Sequence, residues 1–335
     1  MTRDAAIAAF LEAAGWGTAE RRPLAGDASM RRYDRLTRGT ARAVLMDAPP
    51  DRGEDIAPFV DVTHRLRRTG LSAPEILAED PGQGLLLLED LGDDLYARVI
   101  ANGGADEWAL YDAAIDLLVD LQRETDTAGL LPYDAAAYRA EAALLTDWYM
   151  PAATGKETPI AVRNEGLDLV TAACPPPVTP VITLRDYHAE NLVWLPKRAA
   201  HARVGLLDYQ DALAGHPAYD LVSLLEDARR DTTAELRARG LARYLAASGY
   251  EEHAFRAAYA GLGAQRNMKI IGIFARLWLR DGKPAYLDLM GRVWAHLERD
   301  LTHPALAGLK AWVEAHVPPP SDAVRARLRA AGGGS

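Results

Sequence analysis

Cysteine is nearly absent from this sequence: Cys174 is the single one in 335 residues. One thiol excludes an intrachain disulfide framework and any cysteine-rich zinc site, which points to a reducing compartment, the cytoplasm. Positive charge is also short. The 38 Lys and Arg residues face 47 Asp and Glu, a net charge of −9, so the chain lacks the basic footprint that a nucleic-acid backbone demands. Small-molecule chemistry is the better expectation. No uninterrupted apolar run approaches the roughly 18 residues of a membrane span; "IIGIF", residues 270–274, is far too short. The N-terminal "TRDAAIAAFLEAAGW" is broken by Asp4 and Glu12, while Ile7, Phe10, Leu11 and Ala14 keep helical spacing, so it reads as an amphipathic helix and not a secretory segment. A glycine-rich phosphate loop is missing too, because Gly26 stands alone in its turn.

What is present is ordinary globular material, 49% hydrophobic and 25% charged, enough for a sizeable core. The length suggests about two domains. The texture changes once, near residue 92. Before it, "RRYDRLTR", "ARAVLMDAP" and "GLLLLEDL" read as strands separated by Gly, Pro and Asp turns, with a helix from Ile56 to Arg68. Beyond it helices dominate. Trp108, Tyr111, Ile115 and Leu118 share one face, as do Tyr138, Ala142, Leu145 and Trp148, and helical patterns resume at residues 219–230, 234–247, 252–280, 284–300 and 305–315. A single β island over residues 181–209 interrupts them, read as two short strands around a polar loop and a third strand ending at Asp208. The expected chain is α+β, with a small β-rich region over residues 1–92, a larger mainly helical region over 93–331 and a flexible tail at 332–335.

The loop of that island, "LRDYHAENLVWL", crowds Asp186, His188, Glu190 and Asn191 between two apolar runs. A plain polar connection is the simplest reading. A zinc site is another, since "HAE" matches half of a deaminase signature, but that signature needs a P-C-x-x-C pair downstream and Cys174 lies upstream and alone. Spacing favours a third reading. Asp186 precedes Asn191 as D-x-x-x-x-N, and Asp208 follows a later β-run in "VGLLDYQDA". One base, one amide and one strand-terminal carboxylate are what metal-assisted phosphoryl transfer requires. Asp186 orients and deprotonates the acceptor hydroxyl, and Asn191 with Asp208 holds Mg²⁺ against the phosphates of ATP.

With these residues the sequence resembles the aminoglycoside and choline phosphotransferase superfamily. That resemblance implies a bilobal protein-kinase-like fold and makes Asp220 of "GHPAYDLVSLL" the acid that braces the catalytic loop. Longer segments, "GDASMRRYDRL", "AVLMDAPP", "LLLLEDLG", "LLDYQDALAGHPAYDLVSLLEDARRD" and "IGIFARLWLRDGKPAYL", are similar to the anomeric N-acetylmuramate/N-acetylglucosamine kinases of bacterial cell-wall recycling. Such enzymes use ATP to phosphorylate the anomeric hydroxyl, giving a sugar 1-phosphate. The resemblance implies a nucleotide-binding N-lobe over residues 1–92, with "LLLLEDLG" as the inter-lobe hinge; Leu88, Glu89 and Leu91 then meet the adenine. It gives the C-lobe the catalytic loop, the magnesium site and the sugar-acceptor helices. There Trp148 and Tyr149 offer an aromatic wall, and Arg276 and Arg280 meet hydroxyls and a lactyl carboxylate. His188 reads as a loop-bracing hydrogen bonder.

Two departures from the general kinase pattern matter. Leu184 stands where His usually precedes the catalytic pair, a packing substitution. Met46 sits near where the phosphate-pairing lysine of the third strand belongs, and Arg31, Arg32 and Arg35 are the candidate replacements, since arginine forks suit phosphate oxygens. Two alternative functions follow. A kinase for another alcohol, an aminoglycoside or choline-like base, is disfavoured by the arginines of "RLWLRDGK", which repel a cationic acceptor. A nucleotide-binding pseudokinase scaffold is motivated by Met46 and disfavoured by the intact Asp186, Asn191 and Asp208.

Overall fold

A computed structural model of the chain describes residues 2–24, 30–124 and 126–332; the Gly26 turn and tail residues 333–335 lie outside them. Two units pack separately, one from residues 1–126 and 189–212, the other from 127–188 and 213–335.

Unit one opens with α1 (Arg3–Ala13), whose N-cap Thr2 accepts from the Ala5 amide. Its sheet is built from β1 (Glu20–Pro23), β2 (Arg32–Arg38), β3 (Ala41–Asp47), β4 (Ile76–Asp80) and β5 (Leu85–Glu89) in the order β1-β2-β3-β5-β4, with α2 (Ala57–Arg68) between β3 and β4. All pairings are antiparallel, and the register sets Val44 opposite Leu88 and Leu45 opposite Leu87. Because side chains alternate along a strand, Leu36, Ala43, Leu45, Leu85 and Leu87 pack with Ile7, Phe10 and Leu11 of α1 and with Trp16. Val44 and Leu88 turn to the opposite face. Gly84, in the turn between β4 and β5, has φ +64°, and a Cβ there would fall 2.0 Å from the Ala48 carbonyl oxygen, so only glycine fits. Helices α3 (Tyr96–Ala101) and α4 (Glu107–Glu124) follow.

The chain then enters unit two. Helix α5 (Ala135–Leu144), N-capped by Asp134, continues through one π turn at Leu145–Tyr149 into α6 (Met150–Thr154), and α7 (Ile160–Ala172) leads to β6 (Val181–Thr183). It returns to unit one for β7 (Leu192–Trp194) and β8 (Val204–Leu206), and ends in unit two with β9 (Leu213–Gly215), α8 (Ala218–Leu225), α9 (Ala234–Ser248), α10 (Glu252–Leu279), α11 (Ala285–Asp300), α12 (Ala307–His316) and α13 (Asp322–Gly332). The two strands flanking the motif do not pair with each other: β6 pairs with β9 and β7 with β8. The loop is therefore the passage between two small sheets.

Helix α10 is the spine of unit two. Its Met268, Ile271 and Ala275 are buried with Leu145, Met290 and Trp312 in one apolar cluster, and burying each large side chain contributes roughly 1.5–3 kcal/mol. Gly272 allows that packing, since a Cβ there would lie 2.2 Å from the Leu144 carbonyl carbon. Cys174 is buried nearby, its thiol donating to the Gly261 carbonyl at 3.5 Å. Among the described residues no helix is long and apolar enough to cross a membrane.

Candidate active site

A cavity of about 290 Å³ opens in unit one, lined by Tyr33, Val44, Phe59, Leu88, Leu91 and Tyr209 among others. The strand face not used by α1 supplies Val44 and Leu88; the last residue of β5 and the segment after it supply Glu89 and Leu91. An apolar slot of this kind suits a flat heterocycle. The Glu89 amide is donated to the Glu75 carbonyl at 2.8 Å, which ties the segment to the residue before β4. Arg35 lines the cavity with its guanidinium pinned by Asp90 at 2.8 Å and by Asp93 at 2.7 Å. Met46 is buried, opposite Tyr33 and Leu86 in the sheet.

Asn191 and Asp208 line the same cavity. Asn191 Nδ2 donates to Asp208 Oδ2 at 3.4 Å, and Gln210 Nε2 donates to Asp208 Oδ1 at 2.8 Å. Strand β8 stops at Leu206, and Asp208 takes φ +56°, a left-handed conformation that aspartate tolerates better than most residues. The next residue anchors it. Tyr209 stacks on Phe59 at 5.2 Å and shares a 2.7 Å hydrogen bond with Thr63, both on α2. Among the described residues no group of three or more His, Cys, Asp or Glu is arranged to hold a metal. One carboxylate and one amide make an oxygen donor set, which fits Mg²⁺, a hard ion that draws its other ligands from phosphates and water.

In unit two, Asp220 of α8 accepts from the Leu184 amide at 2.6 Å and the Arg185 amide at 2.8 Å. Burial pushes its carboxyl up to about 7, against the pull of those two donors. The clamp holds Arg185 at φ +72°, a strained state for a long side chain that persists only where its surroundings over-determine it. Asp186 follows. Burial opposes its charge, and Lys269, His188, Arg266 and Arg185 together hold its carboxyl below the usual carboxylate range. His188 is itself pushed down to about 4, mainly by burial, so it is neutral near pH 7 and Lys269 carries the larger share. His188 Nε2 and Arg229 Nη1 lie 3.0 Å apart.

The other expected site residues are distributed as follows. Arg31 pairs with Glu54 at 2.8 Å. Arg32 is exposed and lines a different cleft, with Arg3, Asp47 and Arg52. Tyr149 is buried, its hydroxyl donating to the Pro318 carbonyl at 2.6 Å, so its ring is spent on packing, and Trp148 packs half-buried on the same core. Arg276 is half-buried near the end of α10, and Arg280 is exposed and paired with Asp281 at 2.7 Å. The sequence pointed to Arg35 only as a cation for the phosphates, whereas here it is pinned by Asp90 and Asp93; Thr63, Tyr209, Glu141 and Lys269 were missed. A signal for the last did exist: "QRNMK", residues 265–269, is polar in the middle of an otherwise apolar helix.

Residues 20–256 match the phosphotransferase enzyme family. An N-acetylmuramate/N-acetylglucosamine kinase from Caulobacter vibrioides is 42% identical over 94% of this chain and 97% of its own. One of the same name from Pseudomonas aeruginosa is 38% identical over 91% of this chain and 92% of its own. Among solved structures, a choline kinase from Streptococcus pneumoniae aligns with a TM-score of 0.62 at 13% identity, covering 92% of this chain and 99% of that one; at that identity the likeness shows the kinase-like α+β fold. The chain belongs to the phosphotransferase enzyme family and, within it, to the N-acetylmuramate/N-acetylglucosamine kinases.

Proposed function

We propose that this chain transfers the γ-phosphoryl group of ATP to the anomeric hydroxyl of N-acetylmuramic acid and N-acetylglucosamine, giving sugar 1-phosphates for peptidoglycan recycling in the cytoplasm. The observation that carries the reaction type is the apolar cavity that shares its lining with Asn191 and Asp208. The choice of sugar rests on the likeness to the named kinases. In this reading residues 1–92 form the nucleotide-binding lobe and 93–331 the catalytic and acceptor lobe. Val44 and Leu88 line one face of the adenine, and the backbone at Glu89 to Leu91 meets its edge. Asn191 and Asp208 hold Mg²⁺, which neutralises phosphate charge when bound. Arg31, tethered to Glu54, is the cation assigned to the phosphates in place of the third-strand lysine.

Asp186 is the base. It accepts the proton of the C1 hydroxyl as that oxygen bonds to the γ-phosphorus and the bond to the ADP oxygen breaks. The C1 hydroxyl of a reducing sugar is more acidic than its neighbours, because the ring oxygen withdraws electron density. A carboxylate held ionised is therefore base enough, provided the sugar is oriented in line. His188 and Asp220 support the loop, and Arg276 is the cation assigned to the lactyl carboxylate. The test is product chemistry. Both sugars should give acid-labile 1-phosphates whose phosphorus couples to the anomeric proton in NMR, and their 1-O-methyl glycosides should be inert. Rapid phosphorylation of a methyl glycoside would move transfer to another hydroxyl and overturn the anomeric assignment.

A further inference from the structure

The turn that carries Asp186 is tied into unit two by a carboxylate outside the motif. Glu141, on α5, accepts from Arg185 Nη2 at 2.6 Å and from Lys269 Nζ at 2.8 Å on the same oxygen, Oε1. Its other oxygen accepts from the Tyr133 hydroxyl and from Gln265 Nε2 at 3.3 Å. Gln265 and Lys269 are one turn apart on α10, so both face Glu141 from one side of that helix. Arg185 also lies over the Tyr133 ring, 5.4 Å from its centroid. Four donors thus converge on one half-buried carboxylate, from α10, from the Asp186 turn and from the segment before α5. Burial opposes the charge on Glu141, and Lys269 and Arg185 hold it ionised nonetheless.

The charges do not balance within this bridge. Two cations share one carboxylate oxygen. Asp186, adjacent in sequence to Arg185, supplies the further negative charge; Asp220 faces the same turn from α8. We propose that Lys269, seated on Glu141 beside Arg185, is a positioning residue for the turn that presents Asp186. This deepens the reading of Asp186 as the base and rests on it. Asp220 grips the turn by its backbone, and the Lys269–Glu141–Arg185 bridge grips it by a side chain. Together they hold an otherwise strained arginine in one conformation.

Lys269→Met, Lys269→Arg, Glu141→Gln and the Lys269→Met/Glu141→Gln double variant of the full chain test this, assayed with ATP and N-acetylglucosamine and followed by amide hydrogen exchange over residues 184–188. Lys269→Met should lower kcat roughly tenfold, leave the KM for ATP within about twofold and speed exchange across the turn, as loss of a buried charged hydrogen bond does. Lys269→Arg should restore most of kcat and the slow exchange. The double variant should lose little more than Lys269→Met alone, because both changes cut one bridge. Unchanged exchange in Lys269→Met, additive losses in the double variant, or no rescue by arginine would each overturn the proposal. Should Lys269→Met fail to fold, Glu141→Gln and Lys269→Arg decide it through the same exchange readout. Failure of the base assignment is a separate result, namely Asp186→Asn retaining near-native turnover with the exchange pattern as expected.

Discussion

The two units handle charge in opposite ways. In unit one the charged groups are paired off: on the cavity wall Arg35 with Asp90 and Asp93 and Glu89 with Arg198, and elsewhere Arg31 with Glu54. What remains toward the cavity is largely apolar, with Asn191 and Asp208 as its polar end. In unit two the longest helix buries its polar residues. Asn267 donates to Glu226 at 3.0 Å and to Asp300 at 2.9 Å, Arg266 donates to Ser223, and Lys269 donates to Glu141. Burying so many charges is worth little for stability, because desolvation offsets the attraction. A buried, hydrogen-bonded network does fix geometry. On the proposed function, unit one takes up the flat base and the metal, and unit two holds one carboxylate in one place.

The sharpest way to break that contrast is to remove one acid from each unit. Asp186→Asn should lower turnover by about 10² or more while ATP still binds, the expected loss of a positioned base. Asp208→Ala should abolish productive Mg²⁺·ATP binding, read by calorimetric titration. If both variants lost nucleotide affinity equally, the division of labour would be wrong.

Asp220→Asn comes next. An amide oxygen cannot take both the Leu184 and Arg185 amides as a carboxylate does, and its NH₂ faces donors. A loss of about 1–3 kcal/mol in urea unfolding is expected, together with lowered kcat. Val44→Phe acts only on unit one. Filling the cavity should raise the KM for ATP about tenfold, a cost near 1.4 kcal/mol, with the KM for sugar unmoved.

The smallest effect is on acid stability. Burial holds His188, His216 and His296 down to about 4. Between that value and the unfolded value near 6.5 the unfolded chain binds more protons, so stability is present above this window and is lost as pH falls through it. All three histidines lie in unit two. The raised Asp220 carboxyl works in the opposite direction over this window, so the check is a difference: between pH 6.5 and 5 the melting temperature of His216→Phe should change less in the destabilising direction than that of the native chain.

The motif was legible because its chemistry is local in sequence. Asp186, Asn191, Asp208 and Asp220 stand at spacings that mean something, and strands β2, β3 and β5 carry apolar runs that read as strands. Strands β1 and β4 did not: "ERRP" is exposed along its length and "ILAED" alternates weakly, so each is a strand by virtue of its neighbour and not of its own sequence. Strand β9 is three residues long, below any pattern. The Glu141 bridge was illegible for another reason. It joins residues 128 positions apart in the chain, and nothing in single-sequence periodicity reports which helix face meets which. Trp148 and Tyr149 show the converse. Their aromatic character suggested a binding wall, and the π turn that contains them puts Tyr149 into the core while Trp148 stays half-buried at its edge.

Cys174 has a practical consequence. It is the sole thiol of the chain, it is buried, and burial raises its thiol far above the usual range, so thiolate-directed reagents pass it by. The native sequence is therefore already a background for site-specific chemical labelling. A cysteine introduced at Val178, which is fully exposed between α7 and β6, becomes the one reactive handle. A fluorophore or spin label placed there, or at any surface position chosen in either unit, reports on that position without first engineering the native thiol away.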